Sequence, residues 1–269
     1  MKKQSLLYKI SYAALFTALT VILSRFFAIP GLFGLPFLKI SFANSVVIFS
    51  SFYLGPFWGM IVGGAADVLG AVLFPQGGGF NPIYTIPALL TGLAPYYLYK
   101  LSEISKLEKK IPSFLIIILS AFFMFTTIIL FTNDQIVSGK TVYVFSQAQK
   151  ITFVCLILCF SILYIGTSIL IRLKFKDKKI NQEYNINSLL SSVFLTYMLI
   201  KIPVSSAIKA YMLNYDFLFV LFLQLLTGFF TCLVHSVIVI FALNIASTIN
   251  NRSALLKESQ RHGGEEKSN

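Results

Sequence analysis

The chain has 269 residues, of which 57% are hydrophobic and only 12% charged, and its formal net charge is +12. A water-soluble chain of this length needs a polar shell around its core. Here nearly every charge falls in short segments between apolar blocks of roughly twenty residues, the length that crosses a ~30 Å hydrocarbon layer. The composition excludes a soluble globular domain and predicts an all-α integral membrane protein, because lipid offers no partner to an open strand edge and the runs lack the alternation of barrel strands.

Eight apolar segments predict about eight transmembrane helices, at 8–29, 40–54, 57–74, 82–99, 112–132, 151–171, 188–208 and 217–246, in a single transmembrane domain over 1–269. The first follows Lys2 and Lys3 as in a signal peptide, but it runs beyond twenty residues with no small-residue cleavage site and is read as a retained helix. Its Ala14 and Ala18 form a small-residue patch where a second helix can come close, either within the protein or from another membrane protein. Segments two and three are separated by Gly55 and Pro56 alone, which predicts a tight helical hairpin. Segment three places Gly59, Gly63, Asp67 and Ala71 at intervals of four, so a carboxylate sits on a face that admits a neighbouring helix.

Arg25, Asp67 and Lys201 are ionisable groups inside apolar blocks, and each costs on the order of 2.5–3.5 kcal/mol unless paired or facing water. Arg25 lies five residues before Pro30 and Asp67 eight before Pro75, so at ~1.5 Å per residue the two reach similar depths. Two readings stand: a structural ion pair tying helices one and three, or a contact for an anionic or polar substrate. Lys201 precedes Ile202 and Pro203, where a kink would free backbone carbonyls; snorkelling to the interface is the other reading.

The loop PQGGGFNPIY at 75–84 combines a mobile glycine backbone with Gln76, Phe80, Asn81 and Tyr84, amide and aromatic groups suited to clamp a planar heteroaromatic ligand. The expected cavity lies among helices one, three and four and this loop, with Asp67 at its base holding Arg25.

Further along, Cys155, Cys159 and Cys232 read as buried packing residues and His235 as a packing or hydrogen-bonding residue; no metal site or cofactor is expected. SGKT at 138–141 ends like a P-loop, but Asp134 stands where the first glycine is required, so any ATPase must come from elsewhere. Most of the 22 basic residues cluster at the N-terminus, at 100–110, at 172–179 and in a tail at 250–269. That bias places both termini in the cytoplasm of a bacterial-type inner membrane, and the split among four segments argues against nucleic-acid binding.

The runs SYAALFTALTVILSRF, LPFLKISFANSVVIF and YLGPFWGMIVGGAADVLGAVLFPQGGGF resemble the substrate-specificity components of energy-coupling factor (ECF) transporters, most closely the folate type. The resemblance covers about residues 8–100. It implies a six-helix membrane protein that binds a vitamin from outside and works with a transmembrane scaffold subunit and two ATPase subunits. The two remaining helices, within about 112–171, are then an insertion. Ala14 and Ala18 fall on the family's AxxxA scaffold-docking motif, and Arg25 on the arginine ending the same helix. Lys39, in LKI, stands where the folate type usually has arginine, keeping the charge without the bidentate fork. The implied function is binding of folate or a related heteroaromatic compound, with no catalysis. The competing readings are an S-like transporter for a different small molecule and a membrane enzyme acting on lipid-type substrates; the enzyme would need clustered ionisable or metal-binding residues.

Overall fold

A computed structural model of the chain describes residues 5–29, 39–75, 80–104, 135–138, 141–144, 179–180 and 184–265, with scattered positions between 128 and 170. Among them the protein is an all-α membrane bundle. Its helices are α1 (Leu6–Arg25), α2 (Ala43–Tyr53), α3 (Pro56–Leu73), α4 (Thr85–Ile104, entered through a 3-10 turn at Pro82–Tyr84), α5 (Ile186–Leu213) and α6 (Phe217–Glu265). Two short antiparallel hairpins accompany them, β1 (Gln135–Ser138) with β2 (Thr141–Val144) and β3 (Lys179–Ile180) with β4 (Tyr184–Asn185).

Among the described residues four helices are long and apolar enough to cross a membrane: α1, α3, α5 and the Phe217–Ile249 part of α6. With 11 residues, α2 spans only about 16 Å and cannot cross by itself. The predicted hairpin is present. Gly55 turns the chain between α2 and α3 with φ +106°, a conformation that a side chain rarely adopts, and Pro56 then opens α3 where its missing N–H costs nothing.

Small residues set the closest helix contact. Gly59 and Gly92 let α3 and α4 touch backbone to backbone: a Cβ on Gly92 would lie 2.1 Å from the Gly59 carbonyl oxygen, and one on Gly59 2.6 Å from that of Gly92. One turn on, a Cβ on Gly63 would meet the Ala88 carbonyl oxygen at 2.4 Å. In lipid, such contacts replace the hydrophobic drive that water would supply. The main core lies among α2, α4, α5 and α6, around Ile48, Phe52, Leu189, Phe194, Leu223 and Phe229. A second cluster joins α1 to α2 and α3 through Ala13, Phe16, Val47, Leu54 and Val62. Polar residues within the helices turn back on their own backbone, as where Thr17 and Thr20 donate to the carbonyls of Ala13 and Phe16 at 2.8 and 2.7 Å.

Several expectations change. The bounds of 188–208 widen to Ile186–Leu213, and the helix continues through Pro203. Proline lacks an N–H and its ring crowds the carbonyl four residues back. A π turn at Thr196–Lys201 absorbs the mismatch, with the Ile202 N–H reaching the Tyr197 carbonyl five residues earlier. The segment expected as a tail from 250 continues α6 as far as Glu265. Cys155 and Cys159 are exposed, and only Cys232 is buried. The helices expected at 112–132 and 151–171 lie largely outside the described residues.

Candidate functional site

One end of the bundle is closed by aromatic side chains, with Phe52, Tyr99 and Tyr184 in edge-on contact. Towards the other end, the beginnings of α2 and α4 together with α5 and α6 line a cavity of about 350 Å³.

Each wall follows from a local pattern. On α5, Lys201, Ser205 and Lys209 repeat every four residues and form one strip along the helix, with Tyr197 a turn earlier. On α6, Gln224, Gly228, Thr231 and His235 repeat at intervals of four, three and four, one stripe along the apolar Phe217–Ile249 part of the helix. The beginning of α4 contributes Tyr84, Pro87, Ala88 and Thr91, and α3 contributes Asp67. The stretch before α2 contributes Lys39, Ser41 and Asn44. That stretch is held by reciprocal backbone hydrogen bonds between Ile29 and Ile40, 2.9 and 3.1 Å, and by the Ser41 hydroxyl, which accepts from the Ala43 N–H at 3.2 Å.

A chain of hydrogen bonds crosses the floor. His235 Nε2 lies 2.9 Å from the Ser41 carbonyl oxygen, which can only accept, so Nε2 carries a proton. In the neutral imidazole Nδ1 is then the acceptor, and it takes the Tyr197 hydroxyl proton. The Tyr197 oxygen in turn accepts from Lys201 Nζ at 3.2 Å, and the same ammonium stands 4.6 Å from the centre of the Tyr197 ring. Lys201, Tyr197, His235 and Ser41 thus link α5, α6 and the entry to α2 in a single donor-to-acceptor order. On the opposite wall Asp67 Oδ2 accepts from the Thr85 hydroxyl at 2.8 Å, joining α3 to α4 beside the cavity.

Of the residues expected from the sequence, the cavity gathers Lys39, Asp67 and Tyr84. Lys39 lies between charges of both signs: burial pushes its ammonium below the usual lysine range, Arg25 pushes it further down, and Asp67 pulls it back. Arg25 itself is off the lining; its guanidinium lies over Gly70, where a Cβ would come within 2.8 Å of Nε. Phe80 is also off the lining and exposed. Asn81 caps the 3-10 turn by accepting from the Ile83 N–H at 3.0 Å, and its amide reaches Met212 Sδ at 3.9 Å, tying the turn to the end of α5. Gln76 lies outside the described residues. Besides Lys39, Asp67 and Tyr84, α5 and α6 supply much of the cavity's described lining, which the sequence did not bring together.

Ala14 and Ala18 are exposed. They line a separate apolar groove of about 550 Å³ between α1 and α3, with Ala13, Thr17, Trp58 and Ala65.

A helical bundle that encloses a small charged cavity within an otherwise apolar membrane protein has the form of a membrane solute-binding or transport protein. Residues 9–152, more than half of the chain, match the family of substrate-specific components of ECF transporters, and the chain belongs to that family. No curated protein matches it. The matched stretch takes in α1 to α4, while both strips on α5 and α6 lie beyond it.

Proposed function

We infer that the chain is the membrane-embedded substrate-binding subunit of an ECF-type uptake transporter, and that the cavity is where its substrate binds. The observation that carries this reading is the placement of Lys39, Asp67, Lys201, Lys209 and His235 around one cavity in a protein whose other charges fall mostly in the short segments between its apolar blocks. Desolvating so many polar groups in a membrane protein is unfavourable unless a ligand or water meets them. Folate or a related heteroaromatic compound fits the combination of Tyr84 and Tyr197 rings with ammonium groups for carboxylates. Both termini face the cytoplasm of a bacterial cell membrane on this reading, a scaffold subunit and two ATPase subunits supply the energy, and the groove holding Ala14 and Ala18 is the docking surface for the scaffold. The chain forms a single transmembrane domain on this reading; the family match reaches to residue 152, into the segment at 112–171 that was expected as an insertion.

Coexpression with ECF scaffold and ATPase subunits tests this. A stable complex should form, and mass and ultraviolet spectra should identify a small molecule released from the purified chain, with pterin absorbance if the ligand is folate. A chain that joins no such complex and retains no small molecule would overturn the reading.

A further inference from the structure

Charge on the cavity wall names the ligand's chemistry more closely than the family does. Among the described residues the lining carries three ammonium groups, Lys39, Lys201 and Lys209, against one carboxylate, Asp67. The lysines are close enough for Lys201 to feel both others and for Lys209 to feel Lys39. Asp67 already accepts from Thr85. Lys39 also feels Arg25, so the surroundings add positive charge.

Donors dominate as well. The hydroxyl protons of Thr91, Thr227 and Thr231 are committed to carbonyls of their own helices, on Pro87, Leu223 and Gly228. Ammonium groups are thus prominent among the donors on the wall, together with Gln224. That side chain is only 8% exposed, and its buried Nε2 has no hydrogen-bond partner among the described residues. Lys201 and Lys209, eight residues apart on one helix, are separated by about 12 Å along its axis, and their flexible stems can bring both ammonium groups towards one ligand.

We propose that the cavity binds a small dianion, a phosphate monoester or a dicarboxylate, held by Lys201 and Lys209 on α5 with Lys39 opposite and Gln224 as a neutral donor. Two negative charges balance the excess of the wall, whereas a neutral ligand would leave like charges facing one another. This rests on the reading of the cavity as the substrate site.

The test uses the full chain in nanodiscs of zwitterionic lipid. Thermal unfolding is followed at matched ionic strength in chloride with added inorganic phosphate, succinate or the neutral succinamide. A saturable rise in the midpoint with phosphate or with succinate, and none with succinamide, is expected; the stronger of the two anions identifies a phosphate-type or a dicarboxylate ligand. The combined Lys201→Met and Lys209→Met variant should weaken the response about tenfold or more, since hydrogen bonds to charged groups are lost, and Lys201→Arg with Lys209→Arg should retain it. No saturable response to either anion, an equal response to succinamide, or an unchanged response in the methionine variant would each overturn the proposal. If that variant does not fold, Lys209→Gln and the wild-type comparison of succinate with succinamide decide in its place. A chain that assembles with the scaffold and takes up solute without any anion response refutes the dianion alone. One that responds to anions but never assembles refutes the transport reading instead.

Discussion

Gly63 and Gly64 are neighbours on α3, and the same substitution should be costly at the first and nearly neutral at the second. A Cβ at Gly63 would lie 2.4 Å from the Ala88 backbone oxygen, whereas one at Gly64 would meet the Leu89 Cδ2 methyl at 2.5 Å. Leucine can rotate its tip away; a carbonyl held in a helix cannot. An ordinary carbon–oxygen contact of roughly 3.3 Å requires α3 and α4 to separate by about 1 Å in Gly63→Ala. One turn along the same seam, the Thr85–Asp67 hydrogen bond of 2.8 Å would then be stretched beyond the range of a useful hydrogen bond. Overpacking costs about 1–3 kcal/mol and the lost bond to a carboxylate about 1.5–3 kcal/mol, offset by about 0.5–1 kcal/mol from replacing glycine within a helix. Gly63→Ala should therefore destabilise by about 2–5 kcal/mol, while Gly64→Ala should stay within about 1 kcal/mol of the parent. Trp58, the single tryptophan, lies on α3 and reports unfolding by fluorescence in detergent micelles. Equal midpoints for the two variants would refute the assignment of a rigid backbone contact at Gly63.

His235→Phe leaves the Tyr197 hydroxyl without its acceptor and the Ser41 carbonyl without its donor, at about 1–3 kcal/mol for each buried group, and should lower both the thermal midpoint and ligand affinity. Lys39→Met should weaken ligand binding yet raise stability near neutral pH. The folded pKa of Lys39 is lowered, so its charge is a penalty on the fold at pH values below that pKa. The gain in midpoint should shrink as pH rises towards 10.5, the ordinary lysine value, and a gain that stays constant across that range would contradict this origin. Leucine at both Ala14 and Ala18 should fill the exposed groove, abolish copurification with the scaffold and leave ligand affinity within about twofold; equal loss of binding would place these alanines in the internal packing.

Much of the framework was legible because membrane helices announce themselves by length and by small-residue spacing. The Gly55-Pro56 hairpin and the glycine seam of α3 are local patterns with one physical meaning each, and both are present. The candidate site was only partly legible. Lys39, Asp67 and Tyr84 do line the cavity, but the strips that form its other half were read one residue at a time. Lys209 fell just past the apolar block assigned to its helix. His235 looked like an isolated packing residue, and Gln224, Gly228 and Thr231, which share its face on α6, became a pattern only when counted together with it. The π turn at Thr196–Lys201 had no visible signal beyond Pro203, since the extra residue is accommodated by backbone geometry rather than by side-chain type. The direction in which the long Arg25 side chain leaves its helix carried no such signal: depth can be counted from sequence, but the guanidinium lies over Gly70, whose missing side chain makes room for it.

Among the described residues α3 alone lines both the cavity and the apolar groove. Asp67 meets the cavity, while Trp58, Ile61, Ala65, Leu69 and Leu73 form the groove wall opposite α1. Ala65 and Asp67 are two residues apart, about 200° around the helix, so the two surfaces are opposite faces of one rod. The rod is clamped to α4 by carbonyl contacts at Gly59, Gly63 and Gly92, which leave it little freedom to rotate independently. A shift at Asp67 must then be carried by α3 and α4 together, and it reaches the groove through the same backbone. Gly63→Ala is the variant that separates this coupling from simple proximity. Loosening the α3–α4 contact should reduce both ligand affinity and scaffold binding, although position 63 lines neither surface, whereas Gly64→Ala should reduce neither. Loss of ligand affinity with undiminished scaffold binding in Gly63→Ala would show that the two faces of α3 act independently.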